Sequence, residues 1–171
     1  ISNNNFYQGI YFDNSSNNRL NNVTANSNNY GVYLGFSSNN FFTNIITNSN
    51  IHGLALTSIS NNNQLVNITS NNNAYQGIYF GSSSNNNLTQ ITVNSDSNGI
   101  FLYSSSDNSL NNIIANLNSV NGIYLNNRSD NNALTNITAN LNTGPGIYVL
   151  ESSNNIFSSG YVNKSLNYGI W

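Results

Sequence analysis

Apolar and polar positions along the chain follow a repeat of 22 to 24 residues. After each marker glycine, apolar and aromatic residues alternate, as in Ile10, Tyr11 and Phe12, and a period of two is typical of a β-strand. A single coil of this length cannot bury its own apolar face, so the repeat predicts stacked coils. The marker glycines, each followed by an apolar residue, are Gly9, Gly31, Gly53, Gly77, Gly99, Gly122, Gly146 and Gly169.

Asparagine accounts for 45 of the 171 residues and fills two columns of the repeat. Asn tolerates the left-handed backbone of tight turns, and stacked amides can hydrogen-bond from coil to coil. The two columns are therefore predicted to form ladders. The first ladder is Asn18, Asn40, Asn63, Asn86, Asn108, Asn132 and Asn155, and the second is Asn26, Asn48, Asn71, Asn94, Asn116, Asn140 and Asn163.

These patterns predict an all-β chain, a right-handed parallel β-helix of about seven coils with three short strands per coil. Residues 1–171 are expected to form a single array. Neither end shows a capping helix or a charged edge, and an open last coil is an unpaired strand edge. We therefore expect either a longer parent array or coils that stack end to end on those of another copy.

Charge is scarce, and this excludes one class of partner. Charged residues make up 5% of the chain, the formal net charge is -2, and the cations are Arg19, Arg128 and Lys164. A nucleic-acid interface needs clustered Lys and Arg, so none is expected. No apolar run is long enough to span a membrane, and without Cys the chain has no disulfide.

The coil pattern G-I-Y, then S-S-N-N-x-L-x-N-I, resembles the parallel β-helix repeats of NosD-like and pectate-lyase-like surface proteins. The resemblance covers the whole chain. It implies the β-helix fold and an extracellular or cell-surface location. It does not imply one activity, because proteins of this fold include lyases, hydrolases, adhesins and passive spacers.

Groups for catalysis or metal binding are few. Lyases of the family resembled use several acidic calcium ligands and a basic residue on neighbouring coils. The nearest match here is Asp107, Arg128, Asp130 and Glu151, which we interpret mainly as solvated turn residues. His52 is the only His, Met and Cys are absent, and copper prefers clusters of these residues. We read His52 as an exposed turn residue and predict no catalytic site, cofactor site or metal site.

Two surface features remain. Sequons are no more frequent than chance predicts, and those on turns, at Asn14, Asn87 and Asn127, are candidates for N-glycosylation. A column two residues after the glycine should point outward and is almost entirely aromatic. Its rings could stabilise the sheet or form an interface. The interface or glycan-contact candidates are Tyr11, Tyr33, Tyr79, Phe101, Tyr124, Tyr148 and Trp171.

Uniform turn lengths then decide between the functions. The halves of each repeat are all 11 or 12 residues long, so no loop is long enough to wall a cleft. We therefore expect a non-enzymatic structural protein of the cell surface that assembles head to tail into a filament or sheath. The alternative is an adhesin-like segment that binds carbohydrate through the aromatic column. A third, weaker alternative is an enzyme that cleaves polysaccharide.

Overall fold

The chain folds into fourteen β-strands, two per coil, in the computed structural model, which describes residues 1–163, 165 and 168–170. The odd-numbered strands form sheet A: β1 (Gln8–Asp13), β3 (Tyr30–Gly35), β5 (His52–Thr57), β7 (Gln76–Gly81), β9 (Asn98–Tyr103), β11 (Ile123–Asn126) and β13 (Ile147–Leu150). The even-numbered strands form sheet B: β2 (Arg19–Thr24), β4 (Phe41–Ile46), β6 (Gln64–Thr69), β8 (Asn87–Thr92), β10 (Ser109–Ile114), β12 (Ala133–Thr138) and β14 (Ile156–Tyr161).

Each strand pairs in parallel with the equivalent strand of the next coil. The register keeps the sequence columns aligned, so that Tyr124 of β11 lies between Phe101 and Tyr148. The described part of the chain has no helix that could span a bilayer. The prediction of a parallel β-helix of about seven coils is confirmed.

In the described part of the chain the third side of each coil carries no strand, although three strands per coil were predicted. A residue with left-handed backbone stands in the middle of this side, as one also does in each strand of sheet B, for example Asn67 in β6. Backbone hydrogen bonds between coils nevertheless continue here, for example from Ala25 N to Ile46 O at 2.8 Å. The left-handed residues of this third side are Ser27, Ser49, Asn72, Ser95, Leu117 and Leu141.

Inward-facing residues of both sheets form one apolar core through the stack. Ile100 and Leu102 of sheet A pack in the same core as Leu110 and Ile113 of sheet B, and all four are at most 1% exposed. The marker glycines lie beside this core at positions where there is no room for a side chain. A Cβ on Gly31 would lie 2.6 Å from the Gly53 carbonyl oxygen and 2.8 Å from the Thr47 Cβ.

The column that begins at Asn18 stacks in register at the turn after sheet A. The Asn86 backbone N–H donates to Asn108 Oδ1 at 2.8 Å, and the Asn86 Nδ2 donates to the same oxygen at 3.2 Å. A need for left-handed backbone does not explain Asn in this ladder column, because the left-handed residues at this turn belong to the column one position earlier. They are Asn17, Asn39, Asn62, Asn85, Asp107, Asn131 and Asn154.

The column that begins at Asn26 is half-buried and bonds in the opposite direction, as from the Asn94 N–H to Asn71 Oδ1 at 2.8 Å. A third column, buried two residues further along, was not recognised from the sequence. In this column the Asn118 N–H donates to Asn142 Oδ1 at 2.9 Å. Its members are Asn28, Asn50, Asn73, Asp96, Asn118 and Asn142.

Candidate functional site

The aromatic column lies on the outward side of sheet A, alternating with the buried positions of each strand. Tyr11 is 56% exposed, and the other described rings of the column are half-buried. Trp171, the last predicted member, lies outside the described residues. The described rings, called the aromatic strip below, are Tyr11, Tyr33, Tyr79, Phe101, Tyr124 and Tyr148.

Three neighbouring rings of the aromatic strip stack on one another. Phe101, Tyr124 and Tyr148 stack nearly in parallel, with neighbouring centroids 4.7 Å apart and planes within 7°. This spacing equals the rise between coils, because each ring leaves its strand in the same direction. The strip is interrupted at Ala55, whose methyl group is fully buried.

A second set of stacked rings lies beside this interruption. The His52 imidazole stacks on Tyr30, with centroids 4.6 Å apart and planes 9° apart, and on Tyr75 at 5.3 Å. His52 begins strand β5 and is half-buried, so its interpretation as an exposed turn residue is wrong. Tyr30 and His52 both directly precede a marker glycine, and this shared position is the signal that could have revealed the pair.

Hydrogen bonding determines the form of His52. Its Nδ1 lies 2.7 Å from Gln76 Oε1. That oxygen can only accept, so Nδ1 carries the proton and Nε2 is left as an acceptor. Burial lowers the pKa of His52, and the hydrogen bond with Gln76 partly opposes this shift. The imidazole is therefore neutral at pH 7, and its Nε2 can accept a hydrogen bond from a ligand hydroxyl.

Phenol groups converge on the same region. The Thr57 Oγ1 donates to the Tyr33 hydroxyl at 2.8 Å. Burial raises the pKa of Tyr79, and the phenols of Tyr103, Tyr30 and Tyr33 raise it further. The outward side of sheet A thus combines flat apolar rings with uncharged groups that can donate or accept hydrogen bonds.

The acidic residues considered for catalysis do not form a comparable site. Asp107 and Asp130 are joined through the backbone, as are Arg128 and Glu151, and Asp130 Oδ1 accepts from the Ser153 N–H at 2.6 Å. No group of three or more His, Cys, Asp or Glu side chains that could hold a metal ion occurs among the described residues.

The sequon asparagines are distributed over the turns and the start of one strand. Asn14 and Asn87 are exposed, whereas Asn127 is half-buried and its Nδ2 donates to Ser104 Oγ at 2.7 Å. They do not converge on a common surface. Their glycosylation stays a prediction.

An open groove of about 520 Å³ lies on the other sheet, sheet B. Its amide side chains hydrogen-bond to one another along the stack, as Asn67 Nδ2 does to Asn44 Oδ1 at 2.7 Å and Asn136 does to Asn112. These bonds use part of the capacity that a ligand would need. The rings and polar groups of sheet A make that face the better candidate.

Solved structures of similar fold include alginate and mannuronan epimerases. The periplasmic alginate epimerase AlgG matches with a TM-score of 0.80 and 19% identity, over 93% of this chain and 47% of AlgG. The A-module of the mannuronan C-5 epimerase AlgE4 of Azotobacter vinelandii matches with a TM-score of 0.74 and 13% identity, over 98% of this chain and 56% of the module. At these identities the similarity shows the fold, and this chain spans about half the length of those proteins.

The comparison corrects the main functional expectation. A non-enzymatic structural protein that forms a filament or sheath was expected because the coils are uniform and lack long loops. Enzymes that act on polysaccharide share almost the entire coil stack of this chain, so uniform coils are no argument against catalysis. The expectations of a structural role and of no enzymatic activity are therefore wrong, and carbohydrate binding agrees better with the similar structures.

No curated protein matches the sequence. A family described as periplasmic copper-binding protein (NosD) matches residues 60–171, nearly two thirds of the chain. The copper in that description does not fit the donors present, because the chain has one His and neither Cys nor Met. The periplasmic description agrees with a location outside the cytoplasm. The chain belongs to the NosD family of parallel β-helix proteins.

Proposed function

We propose that the outward side of sheet A binds a polysaccharide. The observation that carries this proposal is the stack formed by Phe101, Tyr124 and Tyr148, with rings 4.7 Å apart along the coil axis. Rings stacked in this way turn their faces toward one another and their edges outward, so the strip presents a ridge of aromatic C–H edges and phenol groups against which the C–H groups and hydroxyls of pyranose rings can pack. A surface that repeats this contact in successive coils suits a repeating polymer.

Polar groups beside the rings supply the second part of the recognition. His52 and Tyr30 precede their marker glycines, and Gln76 continues the same outward edge of the sheet. A few polar groups placed among apolar rings fix the orientation of a ligand. Sugar hydroxyls would bond to these groups while the sugar faces lie on the aromatic strip.

The comparisons support this proposal through the kind of molecule that similar structures act on. AlgG and AlgE4 are described as alginate and mannuronan epimerases. A polysaccharide ligand also accords with a family described as periplasmic. We propose that the protein acts in the cell envelope or at the cell surface, where such polymers occur.

Replacing rings of the strip tests the proposal. A Phe101→Ser, Tyr124→Ser variant should lose retardation in gels that contain polysaccharide, since two adjacent rings of the strip are removed. Ile114→Ser is the matched control, because Ile114 is an outward residue of sheet B that is 42% exposed. Circular dichroism of each variant checks that the β-fold is retained.

The control separates the possible results. Loss of retardation in the ring variant together with retention in Ile114→Ser supports binding on sheet A. Equal retardation of wild type and ring variant by every retained polysaccharide would place binding elsewhere and contradict the proposal.

A further inference from the structure

The outward side of sheet A carries very little charge. Its first outward column contains Gln8, Tyr30, His52, Gln76 and Asn98, and its second is the aromatic strip. The third outward column begins with Asp13 and continues through Gly, Thr, Tyr, Asn and Leu residues. With His52 neutral, Asp13 is the charged side chain of these three columns.

Carboxylates lie at both ends of the aromatic strip. Asp13 is two residues from Tyr11 on the same side of β1, and the pKa of Tyr11 is raised by desolvation and then by the Asp13 charge. Glu151 directly follows β13, and the pKa of Tyr124 is raised by burial, by Tyr148 and by the Glu151 charge. Both charges have the sign of an acidic polysaccharide.

The described cations lie off the strands of sheet A. Arg19 belongs to β2 of sheet B, where its guanidinium lies over the Phe41 ring at 5.2 Å from the centroid. Arg128 stands in the turn after β11, and its backbone N–H donates to the Glu151 carbonyl. Lys164 lies outside the described residues.

We infer that the polysaccharide bound on sheet A is an uncharged glycan and not a polyuronate, an inference that rests on the proposed function. A polyuronate brings a carboxylate with each sugar. Along this face it meets Asp13 at one end and Glu151, which lies beside Arg128, at the other, on a chain of net charge -2. Like charges repel, and this repulsion is largest at low salt.

His52 can bind a hydroxyl of this ligand class through its hydrogen bonding. Its Nδ1 is engaged by Gln76, and with the proton on Nδ1 the Nε2 is an acceptor. An acceptor suits a hydroxyl donor, whereas a carboxylate ligand is itself an acceptor and gains nothing from it. Hydroxyl donors occur on every sugar of neutral glycans and of polyuronates alike, so the hydrogen bonding of His52 suits both and the charge of the face is what favours the neutral polymer.

The experiment compares polymers that differ only in their carboxylates. Mannuronan, polygalacturonate and cellouronate are each paired with their carboxyl-reduced form, in which the acid has become a hydroxymethyl group and the backbone is unchanged. Affinity electrophoresis at low and high salt gives the dissociation constant for each member. We expect at least one reduced polymer to bind, about tenfold or more tightly than its uronate parent at low salt, with a smaller ratio at high salt.

Variants show whether the face itself discriminates. In Asp13→Asn, Glu151→Gln the ratio between reduced and uronate polymers should shrink at low salt, since the end charges are removed. In Phe101→Ser, Tyr124→Ser all retardation should be lost.

The outcomes keep this inference separate from the proposed function. Uronate binding as tight as, or tighter than, that of the reduced form, and lost in the ring variant, overturns the neutral ligand but leaves polysaccharide binding in place. Absence of binding to every member of the three pairs overturns both.

Discussion

Asp96 takes the place of an asparagine in a buried ladder and bonds to Asn73 of the preceding coil. Its Oδ1 accepts from the Asn73 backbone N–H at 2.7 Å and from the Asn73 Nδ2 at 3.0 Å, whereas its buried Oδ2 has no hydrogen-bond partner in the structure. In an equivalent position Asn142 Nδ2 donates to the Ala115 carbonyl at 3.0 Å. An ionised Asp96 therefore places a carboxylate oxygen, an acceptor, where an asparagine of the ladder places its Nδ2 donor.

Asp96→Asn should stabilise the protein, and more so at high pH. Burial raises the pKa of Asp96 from 3.8 to about 7, partly offset by the Asn73 bonds. The folded chain therefore holds this proton more tightly than the unfolded chain does. The contribution of Asp96 to the free energy of unfolding is fully present below pH 3.8 and is lost as the pH rises to about 7, by on the order of a few kcal/mol. Urea denaturation between pH 4 and pH 8 measures this dependence.

The control for this variant is Asp107→Asn, which changes an exposed acid at a turn. It should leave the slope with pH nearly as in wild type. An Asp96→Asn protein that keeps the wild-type slope, or is less stable at pH 8, would show that the carboxyl is not held protonated in the fold.

The coil architecture could be predicted because the space at each position of the repeat limits which residue types fit there. The Gly31 position has no room for a Cβ, and Leu110 faces the core, so residue type follows directly from the repeat. The Asn28 column was within reach, since it stands two residues after the Asn26 column in six coils. Its regularity is broken by Asp96, and that break is what makes the position chemically distinctive.

The candidate site could be predicted only in part. The outward aromatic column followed from strand alternation, but the stack of Tyr30, His52 and Tyr75 did not. Tyr75 stands two residues before its glycine, in one of the 24-residue coils, where the repeat pattern assigns no partner. Gln76 neighbours His52 in the same column of the next coil, but the column pattern does not show which ring nitrogen of His52 faces it.

Gly53→Ala should be strongly destabilising, because a Cβ there would overlap the Ser70 hydroxyl and the Gly77 carbonyl oxygen. The backbone oxygen cannot move without disturbing the next coil, so we expect a loss of about 3 kcal/mol in the free energy of unfolding. Gly35→Ala is the control, since its Cβ would meet nothing closer than 3.3 Å. Thermal unfolding followed by circular dichroism compares the two. Equal melting temperatures would contradict close packing at the glycine column.

Asn86→Ala tests the energetic weight of a ladder. Asn86 Oδ1 accepts both the N–H and the Nδ2 of Asn63, and its own Nδ2 donates to Asn108. Removing it leaves buried polar groups of two neighbouring coils unpaired, which should cost about 3 kcal/mol. Asn87→Ala, at the adjacent exposed position, should change stability by less than about 0.5 kcal/mol. Urea denaturation measures the free energy of unfolding of both variants. An equal loss in the two would contradict a stabilising ladder.

His52→Phe separates stacking from hydrogen bonding at the glycan face. A phenyl ring can keep the contacts with Tyr30 and Tyr75 but has neither the Nδ1 proton nor the Nε2 acceptor. The melting temperature should stay near that of wild type, while affinity for a neutral glycan should fall roughly two- to tenfold, the worth of one hydrogen bond. Because burial lowers the pKa of His52, wild-type affinity should decline only as acidification below pH 6.5 protonates Nε2, and the variant should show no such decline. Unchanged affinity and an unchanged pH profile in affinity electrophoresis would remove His52 from the binding face.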